Sequence, residues 1–115
     1  MKFEKNEEQN PWIHYRIGNC HRRIRFNEVQ YFKAEDKSVK MVFDGGEAII
    51  DNTLREIEKI YSEHVMRVHR NTLINKIRID SIKRSSDGNL HVTIEGSNAN
   101  LELSRRMAAQ LKKQL

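Results

Sequence analysis

The chain holds one cysteine and one proline in 115 residues, and aromatic side chains make up only 7% of it. Cys20 alone cannot close an internal disulfide, which fits a reducing, cytoplasmic setting and removes the class of small stapled domains. No apolar run approaches the roughly 20 residues that a membrane helix needs. The opening MKFEKNEEQN is polar and acidic, without the basic start and apolar stretch of a secretory signal. His14, His21, His64, His69 and His91 invite a metal reading, but they share no ligand spacing and pair with no cysteine or carboxylate in a zinc pattern. Nor is there a phosphate-cradling glycine loop or a nucleophile elbow. Cys20 beside His21 is not a nucleophile–base pair, because neighbours on a strand point to opposite faces. The expectation is no enzyme, no cofactor and no metal. The role of Cys20 stays open between a reactive thiol and an incidental side chain.

What is present is charge. Hydrophobic residues make up 37% and charged residues 32%, with a net charge of +5 and a pI of about 9.5. That suits a single, well-solvated domain of thin or elongated shape. The charge is not evenly spread. Residues 1–65 carry 11 Lys/Arg against 12 Asp/Glu, whereas residues 66–115 carry 10 against 4. A cluster of one sign raises the local potential and draws in a polyanion, where mixed charge mainly gives solubility. An anionic membrane is a poorer fit, since no long helix joins a basic face to a broad apolar one.

From Trp12 onward the apolar pattern has period two: Ile13, Tyr15 and Ile17; Ile24 with Phe26; Val29 with Tyr31; Leu90, Val92 and Ile94; Leu101 with Leu103. Such alternation sets one face of a strand on a core. Asp44-Gly45-Gly46, Asp87-Gly88-Asn89 and Gly96-Ser97-Asn98 mark tight turns, so antiparallel neighbours are expected. Two segments break the rhythm. Thr53 and Glu56 form a capping-box pattern ahead of Leu54, Ile57 and Tyr61, predicting a short helix at about 53–62. Ser104 is a good N-cap before Met107, Leu111 and Leu115, predicting a second at about 104–114. Residues 1–11, ending at the only proline, read as a disordered linker remnant ahead of a domain at 12–115.

Three stretches carry recognition chemistry. In Met66–Asn75, apolar Val68, Leu73 and Ile74 anchor a run that also holds His69, Arg70, Asn71 and Asn75. Arginine meets guanine, and asparagine adenine, through paired hydrogen bonds. For His69 and Asn75 a second reading stands beside this, the satisfying of buried backbone groups at a chain reversal. Ser104-Arg105-Arg106 opens a helix, where a hydroxyl, free N–H groups and the helix dipole suit a phosphate. Arginine in a first turn opposes that dipole, a local cost of the kind a ligand-facing residue shows. The third stretch, residues 34–40, reads as a polar link between strands at 29–32 and 39–43.

Taken in order, these pieces resemble the LytTR DNA-binding domain of bacterial response regulators. The matching stretches are VQYFKAEDKSVKMVF (29–43), TLREIEKI (53–60), MRVHRNTLIN (66–75), DSIKRSSDGNLHVTIEG (80–96) and LELSRRMAAQL (101–111). HRN and SRRMAAQL lie closest to the alginate-regulator (AlgR-like) branch. The resemblance implies a mainly β, elongated fold of three small antiparallel sheets with a short helix. It implies loops that enter successive major grooves of double-stranded DNA, two copies pairing on direct repeats, and an upstream receiver domain that is in cis or absent here. Carried over by position, Lys37, Ser38, Arg70 and Arg106 are base-edge candidates. Lys40, Asn71, Ser104, Arg105 and Lys112 are phosphate candidates, and His69 with Asn75 supports a loop. Val39 stands where some relatives place a polar base-reading residue, so that contact is not carried over. The alternative is a protein-interaction module whose basic half docks on an acidic partner. A single-stranded RNA binder would want exposed aromatics, whereas Tyr15, Phe26, Tyr31, Phe32 and Phe43 fall where a core needs them.

Overall fold

The computed structural model describes residues 10–114, leaving aside the side chains of residues 111, 112 and 114. The expected linker at 1–11 lies almost wholly outside the described residues. Strands β1 (Trp12–Ile17) and β2 (Cys20–Arg25) form a two-stranded hairpin closed by Gly18-Asn19, with Gly18 at φ 57°. A 3-10 turn, Phe26–Glu28, leads into β3 (Val29–Glu35), β4 (Ser38–Phe43) and β5 (Gly46–Ile50). Helix α1 (Leu54–Ile60) follows, then β6 (Val65–His69), β7 (Thr72–Asn75) and a 3-10 turn at Lys76–Arg78. Strands β8 (Ile79–Arg84), β9 (Leu90–Ile94) and β10 (Asn100–Leu103) precede helix α2 (Arg105–Gln114).

Three antiparallel sheets result: β1-β2, β5-β4-β3-β7-β6 and β10-β9-β8. The middle one, with five strands, is the central layer, and it has apolar residues on both faces. On one side Ile13 and Tyr15 of the first hairpin, with Leu54 and Ile57 of α1, pack on Phe32, Met41 and Leu73. On the other, Val92, Ile94, Leu101, Leu103 and Ala108 pack on Val68 and Ile74. All four residues of β7 are buried. Leu73 and Ile74 are neighbours on that strand, so they face opposite ways and each joins a different core. The result is a slab of 43 × 42 × 24 Å, extended in two directions.

Both helices form where their caps predict. The Thr53 hydroxyl accepts from Glu56 N–H at 3.1 Å while the Glu56 carboxylate accepts from Thr53 N–H at 2.8 Å. Ser104 Oγ accepts from Met107 N–H at 3.2 Å. All three turns close hairpins. At Gly96, φ is +78°, which favours glycine, and an added Cβ would lie 2.8 Å from the Arg78 guanidinium, which would have to move.

Two expectations are corrected. Residues 34–40 are not a seven-residue link. β3 continues to Glu35 and β4 begins at Ser38, which leaves only Asp36-Lys37 as the turn. Hydrogen bonding carried the strands past their apolar positions, which pattern alone does not register. Val29 and Tyr31 do not share a face either. A bulge between them sends Val29 into the first core and Tyr31 towards the second.

Candidate nucleic-acid interface

The register places two basic turns side by side. Lys33 of β3 pairs with Thr72 of β7, and Ala34 N–H donates to the Asn71 carbonyl at 2.8 Å. The β3–β4 turn (Asp36-Lys37) and the β6–β7 turn (Arg70-Asn71) therefore leave the same end of the central sheet. Lys37 and Arg70 are exposed, and with Ser38 and Arg67 they edge one shallow depression of about 380 Å³. Ser104 N–H donates to the Val68 carbonyl at 2.9 Å, which brings the start of α2 to this edge as well.

The β3–β4 turn is strained. Asp36 and Lys37 sit at φ 46° and 68°, the left-handed region that costs a residue bearing a Cβ about 1 kcal/mol or more. Two successive positive φ values match the twist of a two-residue hairpin and thrust Lys37 outward. Ser38 Oγ donates to the Glu35 carbonyl at 3.0 Å, bracing the turn's base. Lys40 lies two pairs back from Ser38, its ammonium 3.4 Å from Glu35. The hydrogen bond to that carboxylate holds the Lys40 pKa above its ordinary value of 10.5. As a phosphate contact, Lys40 has to be shared with Glu35.

The β6–β7 turn is held by neighbours on three sides. Arg67 meets the Glu58 carboxylate of α1 through Nε at 3.2 Å and Nη2 at 3.0 Å, and its Nη1 donates to the Arg70 carbonyl. Asn71 Oδ1 accepts from Thr72 Oγ1 at 3.0 Å and faces His69 Nδ1 at 2.8 Å, so the ring nitrogen is the donor there. His69 Nε2 stands 3.6 Å from Glu102 on β10. Asn71 thus spends its carbonyl oxygen on the turn and keeps its NH₂ unpaired among the described residues. Arg70 makes no ion pair among them and projects from a braced backbone.

At the third element, Arg105 and Arg106 occupy the first turn of α2, both exposed and without ion pairs among the described residues. Their N–H groups lie ahead of the first intrahelical bond, Ala108 N–H to the Ser104 carbonyl at 2.8 Å. Lys112 lies farther along α2, and its side chain is outside the described residues. Asn75 is at the opposite end of β7 from the turn. It is 1% exposed, and its Nδ2 donates to the Phe26 and Val29 carbonyls at 2.9 Å each. It supports the start of β3 and caps the Lys76–Arg78 turn.

Sequence reasoning passes over Arg67, whose place two residues after Val65, on the same face of β6, is the available signal. It also passes over Lys83 and Arg84, exposed at the same end of the outer sheet as the β10–α2 junction. Among the described residues no cluster of His, Cys, Asp and Glu fits a metal ion, and no helix is long and apolar enough to cross a membrane.

Braced basic turns on a rigid sheet, beside a helix that opens on two arginines, define a nucleic-acid-binding scaffold. Comparison with known proteins supplies the family. Residues 19–115 match the LytTr DNA-binding domain, and the chain belongs to that family; it is a DNA-binding domain of the kind found in transcription regulators. It is 31% identical over 91 residues, 78% of its length, to the positive alginate biosynthesis regulatory protein of Pseudomonas aeruginosa. The chain spans only 37% of that relative. A solved LytTr DNA-binding domain from Bacillus cereus shares the fold, with a TM-score of 0.74 over 89% of this chain and 94% of that one, at 17% identity.

Proposed function

We propose that the chain is the output domain of a two-component response regulator in the cytoplasm, reading double-stranded DNA by sequence with turns instead of a recognition helix. Lys37 and Ser38 enter one major groove and Arg106 the next, with Arg70 between them. Asn71, Ser104, Arg105, Lys112 and the shared Lys40 hold phosphates, while His69 braces the β6–β7 turn. The single observation behind this is that one edge of the central sheet gathers Lys37, Arg70 and the Arg105-Arg106 turn. Grooves on one face of a duplex recur about every 34 Å, within reach of a slab 43 Å across. Residues 12–115 are read as the domain and 1–11 as linker, with a receiver domain in cis or absent. Two copies pair head to tail on direct repeats. The reaction supported is binding, with no catalysis.

Repeated selection of random duplexes by the purified chain tests this. The expected pool converges on a motif with two conserved blocks about one helical turn apart. A pool without any shared motif removes the reading, and leaves the basic edge to an acidic protein partner.

A further inference from the structure

Four arginines fall within ten residues of the first hairpin, at positions 16, 22, 23 and 25, and the interface above uses none of them. The register of β1 with β2 sets Arg16 opposite His21, His14 opposite Arg23 and Tyr15 opposite Arg22. Arg16, His21, Arg22 and Arg23 are all exposed, and they line a cleft of about 470 Å³ whose far wall carries Asp51 and Glu56. Three of the arginines have partners. Arg16 Nε is 3.2 Å from Asp51, and Arg23 and Arg25 lie over the Trp12 ring at 4.0 and 4.1 Å. Arg22 makes no ion pair among the described residues.

Arg23 and Arg25 crowd one indole on one face of the hairpin, and the unpaired Arg22, next along β2, projects from the other face; together they raise the potential without serving the core. A local cost of this kind is relieved by an anion. Position says which anion. Asp51 N–H donates to the Arg16 carbonyl at 3.1 Å, one residue after Ile50 pairs with Val39. The end of β1 therefore lies beside the end of β5, at the edge from which the Asp36-Lys37 turn projects. Asp51 and Asn52 form a wall shared by this cleft and the Lys37–Arg70 depression.

We infer that the β1–β2 hairpin is a second phosphate-binding surface, with Arg22 gripping the DNA backbone just outside the block of bases read by the Lys37 turn. The inference rests on the DNA-binding reading and extends it. Guanidinium suits the task because its fork meets two phosphate oxygens at once. The contact carries no base information, so it adds affinity and salt dependence while leaving the motif unchanged.

The test uses the selected operator in two lengths, one cut at the outer base of the Lys37 block and one extended there by several base pairs of arbitrary sequence. Affinities are measured over a range of salt for the whole chain, for Arg22→Gln and for Arg22→Lys, with thermal melts confirming folding. The wild type should bind the longer duplex more tightly, with a slope of log affinity against log salt steeper by about 0.9 for one added phosphate contact. Arg22→Gln should lose that increment, match the wild type on the short duplex and keep its base preferences. Arg22→Lys should retain most of it. An increment that survives in Arg22→Gln, or is missing from the wild type on a duplex it otherwise binds specifically, overturns the inference and reassigns the hairpin to an acidic protein. If no operator emerges from selection, the DNA reading falls first and this one with it.

Discussion

Replacing Asn75 by alanine should unsettle the domain without altering what it reads. The side chain is 1% exposed and makes three bonds: Nδ2 to the Phe26 and Val29 carbonyls at 2.9 Å, and Oδ1 from Ile77 N–H at 3.3 Å. Each is worth about 1 kcal/mol net, and a buried group left unpaired adds its own desolvation cost. Phe26 O still accepts from Val29 N–H, so its loss is softened. The expected cost is about 2–3 kcal/mol, which lowers the melting temperature by about 8–12 °C in a chain of this size. Asn75→Asp should cost at least as much, because a carboxylate there faces two carbonyl oxygens. Asn75 is four residues from the β6–β7 turn, about 13 Å along a strand. Base preferences measured well below the melt should therefore match those of the wild type. Thermal denaturation followed by circular dichroism, beside a panel of single-base operator variants, reads both. A cost under 1 kcal/mol, or an altered specificity profile in a folded variant, would refute the reasoning.

Lys37→Gly removes the Cβ from a left-handed position, so it should stabilise the fold by about 0.5–1 kcal/mol while weakening operator binding. A melt and a binding isotherm that fall together would show the turn's strain to be irrelevant. Arg106→Ala should cost about 1–3 kcal/mol of binding and relax preference at one base position. Competition against single-base variants checks this, and an unchanged profile removes Arg106 from the readers. Asp44 accepts a two-pronged pair from Arg78 at 2.8 and 3.0 Å, which holds its carboxyl below the ordinary 3.8. A lowered carboxyl stabilises the fold above 3.8 and loses that contribution as pH falls through the folded value. The carboxylate is half exposed, so solvent screening limits the pair to roughly 1 kcal/mol or less. Asp44→Asn should thus melt slightly earlier than the wild type at neutral pH and alongside it in strong acid, and a gap unchanged by acid would count against the pair.

Several features are legible in the sequence alone. Both helices announced themselves through a hydroxyl at the cap and apolar residues at helical spacing, since capping is satisfied within four residues. Glycine marks three of the hairpins because a positive φ is a local requirement, whereas the β3–β4 turn takes its positive φ at Asp36 and Lys37 with no glycine to signal it. The basic second half and the Arg70 and Arg106 candidates were equally visible, as charge and side-chain type survive without a fold. The β1–β2 hairpin is harder to see in the sequence, because Gly18-Asn19 is a single weak turn signal between two short alternating stretches.

Other features depend on segments far apart in the chain. No local pattern distinguishes Leu73 from Ile74, yet one faces α1 and the other the outer sheet, because β7 lies between two layers. Arg67 is an unremarked basic residue until Glu58 arrives from α1 and the Arg70 carbonyl folds back upon it. Lys37, Arg70 and Arg106 are separated by tens of residues, and only the pairing of β3 with β7 and of Ser104 with Val68 draws them to one edge. Side-chain chemistry and short-range conformation are written residue by residue. Which chemistries become neighbours is set by strand pairing and by burial of the two cores, and those act over the whole polypeptide at once.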